Sequence, residues 1–174
     1  MVERLPEEVR KVAVAGAEGI RDLVVGACIT RDSMDAAGNP IREYLLVRRG
    51  DGPWFFPGGK VQKGETLGDA LRREIEQEIG LKAGMDYPDH FEKATIGAYE
   101  SEGKQYAIAN VTLPADSLKG KEPKPQPNDP IKHVMWTADP PWEELTPQVR
   151  AVLEAKMGII KPLKKKEMRN VHDM

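Results

Sequence analysis

Two glutamates four residues apart on one helical face are the part of this 174-residue chain best suited to chemistry: Glu74 and Glu78, within the segment Gly59–Leu81, GKVQKGETLGDALRREIEQEIGL. Thr66 with Asp69 reads as a capping box that opens a helix, and Gly80 reads as its stop. At about 100° per residue, Leu67, Leu71, Ile75 and Ile79 form an apolar stripe with Ala70 at its edge. Glu78 falls inside that stripe and Glu74 lies between Ala70 and Leu67, whereas Asp69 and Arg73 are phased toward solvent. Carboxylates on a buried face are costly unless paired, and two of them one helical turn apart, roughly 5–6 Å at Cβ, repel. A cation is the simplest way to keep both ionised. With oxygen donors alone that cation is a hard one, magnesium or, as the alternative, manganese. Magnesium typically takes one or two carboxylates and fills its remaining positions with water and substrate phosphates. The competing reading is that Arg73 or another arginine pairs with these glutamates on an ordinary surface helix, since structural ion pairs mimic functional ones. Spacing leaves both open.

The segment resembles the Nudix box, whose pattern is G, five residues, E, seven residues, then R-E-U-x-E-E-x-G-U with U aliphatic. Gly59, Glu65, Arg73, Glu74, Ile75, Glu78, Gly80 and Leu81 match at the required spacings, and Gln77 stands where the family carries the first glutamate of its E-E pair. The resemblance implies that Glu74 and Glu78 are metal ligands, with Gln77 and Gly59 completing the metal set. It further implies that Arg73 and Glu65 brace a loop–helix–loop. Gln77 offers an amide oxygen but no charge, which weakens a magnesium site without abolishing it. The implied fold is α/β, a mixed β-sheet sandwiched between α-helices, and the implied activity is magnesium-dependent hydrolysis of a diphosphate linkage in a nucleotide.

Several residues outside the helix could serve that chemistry. The Pro57-Gly58-Gly59 turn lets backbone approach phosphates closely, because glycine has no Cβ. Arg48 and Arg49 end a strand near the same corner, and a guanidinium fork suits phosphate oxygens, Arg49 being the preferred contact. By resemblance, a further acid or base from outside the box often precedes a tryptophan. Trp136 matches that position here, so Asp129 and His133 are the candidates, His133 attractive because imidazole titrates near neutrality. Glu100 and Glu102 compete for the role, and Trp54, Phe55, Phe56 or Tyr99 could stack on a base or simply fill the core. The run WFFPGGKVQKGET is similar to two branches of the family, nucleoside triphosphate pyrophosphatases and GDP-mannose mannosyl hydrolases. The Arg73-Glu74 pair, which the second branch lacks, favours attack of water on phosphorus over attack on the sugar carbon. A third reading, from Gln77, is a nucleotide-binding domain without catalysis.

These residues need elements to position them. Asp22–Thr30 reads as a buried strand containing Cys28, RDSMDAAGNP as turn chemistry, and Tyr44–Arg48 as the returning strand of a hairpin. Phe91–Glu102 and Gln105–Leu113 read as a second antiparallel pair and Ile131–Thr137 as a further strand. Thr146 as cap, Pro147 at the first position and Gly158 at the end define a late helix with Val149, Val152 and Leu153 inward. Pro6 to Ala15 reads as a short first helix in an N-terminal extension over 1–20, followed by one domain over 21–160 and a basic flexible tail over 161–174. The segment 118–130, LKGKEPKPQPNDP, reads as a loop too biased in composition to join the core. The length supports one core, a net charge of −2 argues against nucleic acid as partner, and one cysteine permits no disulfide framework. No apolar run approaches a membrane span. The expected partner is therefore a small-molecule nucleotide, in the cytoplasm, without membrane attachment. Because many members of the resembled family dimerise, a homodimer stays open.

Overall fold

The computed structural model describes residues 20–89, 94–101, 104–113, 118 and 120–158. The short first helix, the basic tail, Glu102 and the side chains of Tyr99 and Glu100 lie outside the described residues.

Six strands form one mixed sheet: β1 (Ile20–Met34), β2 (Pro40–Arg49), β3 (Gly58–Lys60), β4 (Ala94–Ser101), β5 (Lys104–Leu113) and β6 (Ile131–Thr137). The order is β4-β5-β1-β2-β6, with β3 also pairing β1. The β1·β5 ladder is parallel and the others antiparallel. The first half of β1 runs between β5 and β3, and its last residues pair with β2. Among the described residues two α-helices cover the sheet, α1 (Leu67–Ile79) and α2 (Pro147–Lys156). Central strands covered on both faces need apolar side chains at successive positions, and LVVGACI and YLLV supply them. Val25, Ala27, Ile29, Leu45 and Val47 pack with Ala70, Leu71, Ile75 and Ile79 of α1. Cys28, Tyr44 and Leu46 pack with Trp54, Phe56 and with Val149 and Leu153 of α2. Helices thus lie on opposite faces, as expected, and Cys28 is buried.

Two expectations need correction. The stretch read as a turn from Arg31 onward is mostly strand, and the turn proper is confined to 35–39. Opposite charges facing each other across the hairpin explain the difference: Arg31 pairs with Glu43 at 2.7 Å and Asp32 with Arg42 at 3.0 Å, so polar residues still fit a ladder. At the tip, the Asp35 carboxylate accepts from the Ala37 and Asn39 N–H groups. The segment 118–130 is also not detached from the core. Leu118 packs against the α1-side cluster and Pro123 is buried, while the Lys124 N–H donates to the Ile79 carbonyl at 3.0 Å. A loop of polar composition is held by backbone bonding to the helix end, which leaves orphan carbonyls there.

Candidate active site

Helix α1 starts as its residues dictate. Thr66 Oγ1 accepts from the Asp69 N–H while the Asp69 carboxylate accepts from the Thr66 N–H, and Gly80 closes the helix in the left-handed region. This fixes the rotation of the helix, and with it the direction of Glu78. That side chain is 2% exposed and its Oε2 accepts the Gly58 N–H at 2.9 Å. Burial pushes its carboxyl up to about 8; the Gly58 N–H opposes this, the charges of Glu74 and Asp129 add to it, and Arg49 opposes it. Glu74, 14% exposed, lies against the same strand. A Cβ on Gly59 would sit 2.5 Å from its Oε1, so a larger residue here would push the carboxylate off the strand. Gly58 and Gly59, read from the sequence as part of a turn, are instead in the edge strand β3, where pairing with Val25 and Gly26 extends them, and they carry both carboxylates.

Arg73 departs from its solvent-facing phase. Its guanidinium folds back, 20% exposed, donating to Glu65 Oε1 at 2.6 Å, Glu65 Oε2 at 3.0 Å, Glu74 Oε1 at 2.6 Å and the Lys60 carbonyl at 3.0 Å. Glu65 Oε2 also accepts the Gln62 N–H, and the Arg73 hydrogen bond, foremost, holds the Glu65 carboxyl below the usual range. The ion-pair reading thus applies to Glu74 and leaves Glu78 unpaired by any guanidinium hydrogen bond among the described residues. Gln77 is exposed, its Oε1 lying 3.4 Å from Arg73, beside a polar groove of 640 Å³ that includes Asp129. Asp129 reaches that position because its loop is tied to the end of α1, and its Oδ1 accepts the Ile131 N–H.

Arg49 and Arg48 go to opposite faces. Arg49 is opposite Ile131, on the α1 side, with its guanidinium 5.8 Å from the Phe55 ring and its charge felt at Glu78. Arg48 lies over Trp54 at 4.7 Å, with its Nε buried and unpartnered. His133 is exposed opposite Arg48, its ring 6.5 Å from that of Trp54. The structure therefore brings together Glu74, Glu78, Arg73, Gly58, Gly59 and Arg49, with Gln77 and Asp129 alongside, and groups Arg48 and His133 with Trp54 on the α2 side. Trp54 and Phe56 are core residues there. Sequence reasoning missed Asn110, an 8%-exposed amide in β5 that lines a cavity of 720 Å³ with Arg49, Gly58 and Gly59. Its signal was an asparagine inside the apolar strand AIANVTL.

The family model described as the NUDIX domain matches residues 21–151. The chain belongs to the Nudix family. A low-salt glycan biosynthesis protein, Agl8, of Haloferax volcanii is 29% identical over 109 residues, 60% of this chain and 65% of that protein. An 8-oxo-dGTP diphosphatase of Haemophilus influenzae is 46% identical over 50 residues, 26% of this chain and 37% of that protein. The chain thus spans less than two thirds of the length of these curated relatives. The crystal structure of a MutT NUDIX hydrolase from Burkholderia pseudomallei superposes with a TM-score of 0.53 at 26% identity, covering 76% of this chain and 95% of that one. In Nudix terms, the loop–helix–loop from Gly59 to Leu81 is the box, and its brace is the Arg73–Glu65 pair. The carboxylates suit a hard cation: Glu78 is buried beside two further acids, and only the Arg49 charge offsets them, with no guanidinium hydrogen bond to Glu78 among the described residues. Among the described residues no group of three histidines, cysteines or carboxylates forms a ready-made cage. A cation here would draw part of its shell from water and substrate, as magnesium does. No helix among the described residues is long and apolar enough to cross a membrane.

Proposed function

We propose that this Nudix chain hydrolyses a diphosphate linkage in a nucleoside triphosphate or related nucleotide, by attack of water on phosphorus. The observation that carries the reading is the buried Glu78 carboxylate, fixed by the Gly58 N–H beside Glu74 at a glycine-lined strand edge. Glu74 and Glu78 would hold magnesium, with manganese the alternative and with Gln77 and Gly59 at the margin of the site. When bound, the cation neutralises and polarises the diphosphate. The backbone at Gly58 and Gly59 admits the phosphates closely, and Arg49 offers its guanidinium fork to their oxygens. Arg73 is a positioning residue: it fixes the Glu74 carboxylate while Glu65 fixes Arg73. Asp129, rather than His133, takes the proton from water in this reading. The support is that Glu78 feels the Asp129 charge, whereas His133 sits with Trp54.

Hydrolysis of nucleoside triphosphates in oxygen-labelled water tests the reaction: label enters a phosphate. Label in a sugar instead would favour the nucleotide-sugar reading, to which the similarity to the Haloferax glycan protein and the WFFPGGKVQKGET run point. Asp129→Asn is expected to lower kcat by on the order of 100-fold and His133→Ala by less than about threefold. The reverse ranking would return the base role to His133.

A further inference from the structure

Across β5, β1 and β3, three residues stand in one row: Asn110 is opposite Gly26, and Gly26 is opposite Gly58. Gly58 is the residue whose N–H holds Glu78, so the row starts at the carboxylates and ends at the amide. Two strand spacings separate its ends, about 10 Å, which is the reach of a nucleotide from phosphate to base edge. The cavity of 720 Å³ lies along this row, walled by Val24, Phe56 and Val149 and by the first residues of α2. Apolar walls with a few polar groups suit a planar heterocycle. Arg49, Lys60, Thr146 and Gln148 also line this cavity, each exposed or half-buried.

Asn110 is the buried polar side chain of that lining. It is 8% exposed and its Oδ1 has no hydrogen-bond partner. A buried acceptor left unpaired lowers stability, while an apolar side chain of the same shape would not. The middle of the row is kept clear by Gly26. A Cβ there would lie 2.8 Å from Asn110 Oδ1 and 3.8 Å from Phe56 Cβ. Any side chain at 26 would displace the amide and occupy the floor of the cavity.

We propose that the Asn110 amide hydrogen-bonds the nucleobase of the bound nucleotide, with the base lying over Gly26 between the sheet and the start of α2. The ligand class rests on the nucleotide reading above; the recognition element is independent of the metal and of turnover. A ring N–H or exocyclic amino group supplies the donor that Oδ1 lacks, and the Phe56 side covers one part of the ring's surround.

The test is a titration of the full chain, without metal, with the four ribonucleoside monophosphates and with ribose 5-phosphate, which has no base. Wild-type chain is expected to bind at least one nucleotide about tenfold more tightly than ribose 5-phosphate. Asn110→Leu is expected to abolish that preference, leave ribose 5-phosphate binding within about twofold, and keep or raise the melting temperature. Should the leucine variant not melt cooperatively, Asn110→Ala carries the same comparison. A wild-type chain without base preference overturns the proposal, and so does a variant that retains it. An equal loss of affinity for ribose 5-phosphate also overturns it, because Asn110 would then read the sugar. Turnover separates the two proposals: base preference without hydrolysis leaves this one standing and removes the hydrolase, while hydrolysis without base preference does the opposite.

Discussion

Helices α1 and α2 cover the same sheet from opposite sides, yet they are built to different standards. Helix α1 has a reciprocal capping box, a glycine stop and a guanidinium tied to two carboxylates and a backbone carbonyl. Helix α2 starts at Pro147 with no side-chain cap bond from Thr146 and buries only Val149 and Leu153. Apolar contact is sufficient for a cover, because burial is non-directional. A carboxylate on a buried face needs more, since its position in space has to be fixed against its own desolvation cost. Extra hydrogen bonding on α1 therefore marks where charge must be aimed.

The largest break in this contrast is expected from Glu78→Gln. It should lower kcat for nucleotide hydrolysis by about 1000-fold, roughly 4 kcal/mol, with the far-UV circular dichroism unchanged. Undiminished turnover would remove Glu78 from the site. Next in size is the pH response of the metal-free chain. Glu78 binds its proton up to about 8 when folded, against 4.5 ordinarily, so the folded state holds a proton that the unfolded chain has already released. Stability is then full below the unfolded value and falls as pH rises to about 8, by up to ~1.4 kcal/mol per pH unit. Denaturant titrations at pH 5 and pH 8 measure this. Magnesium should flatten the slope, and Glu78→Gln should remove it.

Arg73→Leu comes third. It frees Glu65, Glu74 and the Lys60 carbonyl, and is expected to cost ~1–3 kcal/mol of stability together with about 10–100-fold in metal-dependent rate. A loss of stability alone, with metal affinity intact, would make Arg73 a fold residue only. The smallest effects set the two helix starts against each other. Thr66→Ala should cost ~1 kcal/mol and Thr146→Ala less than ~0.5 kcal/mol. Equal losses would contradict the difference in capping.

What could be read from the sequence was what is local. The capping box, the Gly80 stop and the bounds of β6 depend on residues within a few positions of one another, and each is found as expected. Phasing also located Glu78 on the buried face. It mistook Arg73, whose phase points outward but whose long side chain returns to partners at 60 and 65. Chemistry alone made the Arg31–Ser33 stretch look like turn, because the partners that make it strand arrive from 41 to 43. The pairing of Arg48 with Trp54 and the row from Asn110 to Gly58 join distant strands, and no local pattern encodes such a meeting.

The tie between the Lys124 N–H and the Ile79 carbonyl has a consequence for variation over time. A clasp made from main chain asks of position 124 only that it not be proline, which has no N–H, so spelling there is otherwise free to drift. Spacing is not. The number of residues between 124 and 129 sets where the Asp129 carboxylate arrives, and losing one of them should displace it more than replacing any exposed neighbour. In this loop, inheritance is expected to conserve length before identity.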